Sequence, residues 1–150
     1  EFNCRFGDPE TQPILFLLKS DFAELLYNCA AGKLDSTTLE WDAGHAVCVV
    51  MASGGYPGSY SKGYPISGLD DASSVDGVSV FHAGTKRNGD DVVTSGGRVL
   101  GVTGVGADFW EARDRAYEAV ETISFKDAYY RRDIGHRAAG HLKKTDTDPT

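Results

Sequence analysis

Glycine sets the grain of this chain. It has 18 glycines, and most fall between Gly54 and Gly106. That stretch must turn often and can support only short elements. The apolar runs left between the turns have strand length. "AVCVVMAS", from Ala46, reads as a buried strand. "GGYPGSYSKGYP" follows as a loop. "VSVFHAGT" and "DVVTSGG" read as strands flanking "KRNGDD", where Asn88-Gly89 signals a hairpin turn. "GGRVLGVTGVG" is a further strand, entered through Gly96-Gly97.

Helical spacing dominates on either side of that region. A helix is expected over residues 108–122, with Asp108 and Glu111 at cap spacing. Its inward face is Ala112, Ala116, Ala119, Val120 and Ile123. A second is expected over residues 21–31. Asp21 caps it, Phe22, Leu25, Leu26 and Cys29 make its apolar stripe, and Gly32 ends it. Residues 1–6 alternate like a strand, with Glu1, Asn3 and Arg5 on one face and Phe2, Cys4 and Phe6 on the other. Asp8 then suits a helix cap and Pro9 the first helical position, with Pro13 breaking or restarting that short helix. Residues 33–44 read as a polar linker. "YYRRDIGHRA" precedes a last helical turn, and residues 143–150 are expected to be a disordered tail. The pattern is α+β: a strand and helices, a seam near residues 39–45, then an antiparallel sheet with one packed helix.

Composition narrows the function classes. Hydrophobic residues make up 41% and charged residues 25% of the 150, the balance of a soluble globular chain. A net charge of -7 opposes nonspecific nucleic-acid binding, which needs a basic surface. No run has membrane-spanning length and no secretory signal is evident. Cys4, Cys29 and Cys48 have neither zinc spacing nor an even count, so free thiols in a cytoplasmic protein are expected.

The residues with chemical potential each have a plain structural alternative. Glu1, Asn3 and Arg5 offer hard oxygen ligands for Mg²⁺ beside a guanidinium for phosphate. A solvated strand face has the same spacing. Asp8 and Glu10 could meet a substrate ammonium or simply complement a helix dipole. His82, Gly84 and Thr85 stand at a strand end, where glycine admits close backbone approach and Thr85 adds a hydroxyl. A hairpin loop with a surface histidine would look alike. Arg98 can take a phosphate or pair with a carboxylate. Lys62 could serve as an anion contact on a mobile lid, or sit in a proline-glycine turn without chemistry. Arg131, Arg132 and Asp133 suit an ion pair or a docking contact. The chain has no GxSxG elbow and no GxxxxGK[ST] phosphate loop.

Seven stretches taken in order are more specific than any of these. "EFNCRFGDPETQ", "LLKSD", "VVMASGGYPGSYSKGYPISG", "VFHAGT", "VTSGGRVLGVTG", "AYEAV" and "YYRRDIGHRA" resemble the C-terminal part of the phosphoribosylamine–glycine ligase (glycinamide ribonucleotide synthetase) family. The likeness runs from Glu1 to about Leu142.

This resemblance implies an ATP-grasp enzyme of purine biosynthesis. Such an enzyme joins glycine to 5-phosphoribosylamine using ATP, through a glycyl phosphate, with Mg²⁺ or Mn²⁺. It implies the end of the ATP-grasp domain over residues 1–40 and the family's C-terminal domain over residues 41–142. Glu1 and Asn3 match its metal-binding Glu-x-Asn. Arg5 matches an arginine facing phosphate, and Asp8 is matched to a glycine-facing turn. His82, Gly84, Thr85 and Arg98 match a wall of the phosphoribosylamine pocket. The N-terminal domain and most of the nucleotide site are expected upstream of Glu1, and the chain alone is expected to be inactive. A noncatalytic binding domain of the same architecture is the alternative.

Overall fold

The computed structural model describes the backbone of residues 5–145 and the side chains of residues 5–140 other than Ser36. Two helices come first, α1 (Thr11–Leu17) and α2 (Phe22–Ala30). Strand β1 (His45–Ala52), short helix α3 (Leu69–Ser73) and strand β2 (Val78–His82) follow. The hairpin strands β3 (Thr85–Asn88) and β4 (Asp91–Thr94) come next. Strand β5 (Arg98–Gly106), helix α4 (Phe109–Thr122) and helix α5 (His136–Thr145) complete the order. The fold is α+β.

Strand β5 is the centre of a three-stranded sheet ordered β1-β5-β2, antiparallel at both edges. Its register with β1 runs from His45↔Gly106 to Met51↔Leu100. It then slips, so that Ala52 stands opposite Arg98. One face carries Val49, Met51, Leu100 and Val102 against α4, where Ala112, Ala116, Ala119 and Val120 are fully buried. This is the inward face that the helical period predicts. The cap is as expected too: Asp108 accepts from the Glu111 N–H at 2.8 Å, and Glu111 accepts from the Ala107 N–H at 2.6 Å.

Helix and sheet approach so closely because β5 has no side chain at the crossing. A Cβ on Gly104 would meet the Ala116 N at 2.6 Å and the Ala112 carbonyl more closely still. Small residues face each other on both elements, and the backbones touch.

The opposite face of the sheet receives α1. Phe16 meets Phe81 of β2 edge-to-face at 6.3 Å between centroids. Gln12 lies over Gly101 beside Cys48.

Several expectations about the first third are corrected. The helix begins at Thr11 with Glu10 in the cap position and no side-chain cap bond. Pro9 therefore precedes it, and Pro13 sits inside its first turn. A missing N–H costs little there, because the first four donors of a helix have no intrahelical acceptor. Asp8 is not the cap: its carboxylate is taken by Arg98. Of the expected first strand, Arg5 and Phe6 are not extended-sheet residues, and Glu1 to Cys4 lie outside the described residues.

Helix α2 forms as expected, with the Glu24 N–H donating to Asp21 at 2.9 Å. Its stripe stays partly open, however, with Leu26 49% exposed. The polar linker is docked rather than free. Lys19 N–H donates to Glu40 at 2.9 Å, Asp42 N–H to Leu17 at 2.8 Å, and a bridge joins Leu18 to Trp41.

Further along, "VSVFHAGT" is two strands in two sheets, broken at Ala83-Gly84. The hairpin turn falls at Gly89-Asp90, because Asn88 pairs with Asp91. Helix α5 is longer than one turn and continues to Thr145. Residues 146–150 lie outside the described residues.

Gly104→Ala should lower unfolding free energy by about 1–3 kcal/mol, the usual cost of overpacking. Gly140→Ala, where a Cβ meets nothing within 4 Å, should be neutral or slightly stabilising. Urea unfolding of both variants checks this; equal effects would mean that the crossing can relax.

Candidate functional site

Arg98 opens β5, directly after the Gly96-Gly97 turn, and the register slip opposite Ala52 leaves it half exposed. Its Nη1 donates to the Asp8 carbonyl at 2.9 Å, and its Nη2 lies 3.3 Å from the Asp8 carboxylate. Gln12 Nε2 donates to the other carboxylate oxygen at 3.3 Å. An exposed pair of this kind contributes only about 0–1 kcal/mol. Its value is positional, since it fixes the turn before α1 over one corner of the sheet.

That corner is walled by the loop after β1, which is fastened at both ends. Ser53 donates through its N–H to Gly97 at 2.8 Å and through its hydroxyl to Gly96 at 2.9 Å. Gly63 N–H donates to Thr94 at 2.7 Å, and Tyr64 N–H donates to the Thr94 hydroxyl at 3.1 Å. Between these ties Lys62 stands over the Tyr60 ring, 5.7 Å from its centroid.

The third wall is the segment after α4. Tyr129 exchanges backbone hydrogen bonds of 2.8 and 2.9 Å with Ala52. The Tyr117 hydroxyl donates to the Arg131 carbonyl at 2.7 Å and accepts from the Ile134 N–H at 3.1 Å. Arg131 grips Asp133 through Nε and Nη2 at 2.9 and 2.8 Å. Those hydrogen bonds hold the Asp133 carboxyl below its ordinary range and raise the Arg131 guanidinium.

Together these walls border a partly open cavity of about 320 Å³. Cys48 and Val50 line it from the sheet, and Tyr56, Tyr129 and Tyr130 supply aromatic surface. Arg98 and Arg131 are its charged lining. Burial pushes the Cys48 thiol up, and the Asp8 charge adds to this against the opposing Thr103 hydroxyl.

The residues singled out from the sequence divide into three groups. Asp8 and Arg98 are brought together. His82, Gly84 and Thr85 share their corner but not their face. His82 stands opposite Leu100 on the α4 side, with its Nδ1 3.0 Å from the Thr85 hydroxyl. Gly84 is explained by its own chain: a Cβ there would lie 2.6 Å from the Gly96 Cα and 2.5 Å from the Arg98 carbonyl. Arg5 donates to the carbonyl of Phe6 at 3.0 Å and is exposed. Glu1 and Asn3 lie outside the described residues. Among the described residues, no cluster of three or more His, Cys, Asp or Glu side chains suits a metal ion. No helix among them is long and apolar enough to cross a membrane. Sequence reasoning found the Arg131–Asp133 pair but missed that Arg131 shares a cavity with Arg98, 33 positions earlier. No local signal carries that contact.

Residues 46–137 match the family described as phosphoribosylglycinamide synthetase, C domain. The chain belongs to this family. Among curated relatives, the phosphoribosylamine–glycine ligase of Allochromatium vinosum is 55% identical over 138 residues, 92% of this chain and 32% of the relative. The enzyme of the same name from Vibrio cholerae is 53% identical over 138 residues, again 92% and 32%. The crystal structure of the Thermotoga maritima phosphoribosylamine–glycine ligase superposes with a TM-score of 0.70 at 36% identity. That likeness covers 89% of this chain and 32% of the other. The chain thus spans about a third of the length of the relatives it matches.

Cys29 is exposed and Cys48 buried. In a Cys4→Ser background, one thiol should react with a maleimide in the native state, and Cys48 only after denaturation. The folded chain keeps the Cys48 proton to higher pH than the unfolded chain does. That contribution to stability is complete below the ordinary thiol value of 9.0 and declines above it. Cys48→Ala should flatten the fall of unfolding free energy on the alkaline side of pH 9; an unchanged slope would deny it.

Proposed function

We propose that this chain is the C-terminal part of a phosphoribosylamine–glycine ligase. The observation that carries the reading is 55% identity across 92% of the chain to a relative of that name. The reaction attributed to the whole enzyme consumes ATP, glycine and 5-phosphoribosylamine. Glycine's carboxylate takes the γ-phosphoryl group and ADP leaves. The ribosylamine nitrogen then attacks the glycyl carbonyl, loses a proton and expels phosphate. Catalysis of such a transfer consists mainly of positioning and charge stabilisation.

In this reading, residues 1–40 close the ATP-grasp domain. Their surface supports it. Phe6, Ile14, Phe16, Leu26, Tyr27, Leu34 and Leu39 are all exposed, as is Trp41 just beyond them, whereas the buried apolar set of the described residues runs only from Val47 to Phe125. An apolar surface of that extent suits contact with further protein. Glu1 and Asn3 offer the hard oxygen donors for Mg²⁺ or Mn²⁺. When bound, the cation neutralises charge on the transferring phosphoryl group. Arg5 faces that group, and Asp8 holds the glycine side of the turn while pairing with Arg98. Arg98 is the substrate-facing member of the pocket wall. Gly84, whose N–H donates to the Arg98 carbonyl at 2.8 Å, and the His82–Thr85 pair hold its corner. A cytoplasmic location belongs to the same reading.

Assay of the complete protein with all three substrates tests this. Glycinamide ribonucleotide should form with the complete protein and not with residues 1–150 alone. Glu1→Ala and Asn3→Ala should raise the Mg²⁺ requirement and depress turnover. Unchanged metal dependence in both would remove them from the site. Arg98→Ala should raise the KM for phosphoribosylamine more than that for ATP, whereas equal effects would indicate a structural role.

A further inference from the structure

Two guanidiniums from distant parts of the chain line one cavity, and each has a donor to spare. Arg98 spends Nη1 and Nη2 on Asp8, and Arg131 spends Nε and Nη2 on Asp133. Nε of Arg98 and Nη1 of Arg131 have no partner among the described residues. Their backbones are fixed independently of any ligand: Arg98 by its place in β5, Arg131 by the Tyr117 hydroxyl. Donors held in place before a ligand arrives lose little entropy in binding it.

The rest of the lining constrains what sits between them. At about 320 Å³ the space is at the small end of ligand pockets, which suits a pentose phosphate better than a nucleoside triphosphate. Its tyrosine rings offer flat apolar surface to the C–H face of a sugar. Glycine has no such surface to match. Arg98 and Arg131 keep side chains 43% and 58% exposed, so each offers a phosphate a charge-assisted but partly screened contact.

We propose that this cavity holds the ribose phosphate of the acceptor substrate, with Arg98 and Arg131 on the phosphate and Tyr129 and Tyr130 against the sugar. The inference rests on the ligase reading. It extends the pocket wall from Arg98 across to residues 129–131 and leaves the His82–Thr85 pair outside it.

The test uses the complete protein. Arg131→Ala should raise the KM for phosphoribosylamine at least about tenfold, the loss of one charge-assisted contact of roughly 1.4 kcal/mol. The KM values for ATP and glycine should stay within about twofold. Arg131→Lys, which keeps the charge but not the fork, should fall between. Arg132→Ala should behave as wild type, since Arg132 stacks on Tyr130 with its guanidinium carbon 5.0 Å from the ring centroid and does not line this cavity. Thermal melts of each variant exclude misfolding as the cause.

Ribose 5-phosphate should compete with phosphoribosylamine, and its inhibition constant should rise in Arg131→Ala. Inorganic phosphate and AMP separate the other sources of a phosphate group; stronger competition by either would overturn the sugar-phosphate assignment. Equal KM changes for phosphoribosylamine and ATP would overturn the site. Failure of the wild-type protein to make product would instead count against the ligase reading. Calorimetry of ribose 5-phosphate with wild type and Arg131→Ala would then still decide the cavity, with equal affinities overturning it.

Discussion

Strand β5 is bonded along both edges and pressed against α4 at a point where it has no side chain. Gly104 and Gly106 let the backbone of α4 approach to a distance that any Cβ would prevent. The alanines of α4 fill the shallow space that remains, and all three are fully buried. With one face closed by α4 and both edges occupied, the other face of β5 is the surface on which something else can be built. Arg98 stands where β5 begins, after a turn pinned by Ser53, and the slip between Met51 and Ala52 leaves it facing Asp8. The position of the candidate site follows from the packing of a strand whose other face is wholly structural.

What the sequence made legible was whatever depends on local period and local caps. The inward face of α4 is readable because 3.6-residue spacing decides which side chains meet the sheet. The Asp21 and Asp108 caps are readable because their acceptors lie three residues from the donors they satisfy. The misreadings arise where a distant partner overrides a local preference. Asp8 has good cap chemistry, yet Arg98, 90 residues away, holds its carboxylate. The run "VSVFHAGT" is apolar enough to be one strand. It breaks because Gly84 must pack against Gly96, and the residues beyond that contact pair with β4 instead of β5. Residues 33–44 have linker composition, but two backbone hydrogen bonds return them to the end of α1.

The candidate site was half legible for the same reason. Arg98 announced itself as an arginine after two glycines, and the Arg131–Asp133 pair as charges two residues apart. Their convergence depends on the β1 edge that Tyr129 extends and on the reach of Tyr117 from α4. Neither contact leaves a mark in spacing or composition. The resemblance to a ligase family implies one pocket wall of His82, Gly84, Thr85 and Arg98. Alternation along β2 puts His82 on the face of Leu100, while Arg98 turns toward α1.

Among the described residues, the joint between residues 5–44 and the sheet consists of weak parts. An exposed ion pair, the Arg98 donation to the Asp8 carbonyl, one edge-to-face ring contact and Gln12 lying over Gly101 are modest contributors singly. On the far side of the same segment, Leu26, Leu34, Leu39 and Trp41 are all more than 40% exposed. If the joint alone ordered this segment, such side chains would be a solubility cost with nothing to offset it. In the proposed ligase reading they form one half of a larger contact, with the sheet holding one side of α1. Asp8 lies at this joint, where Arg98 holds both its carboxylate and its carbonyl, so one residue of β5 fixes the entry to α1.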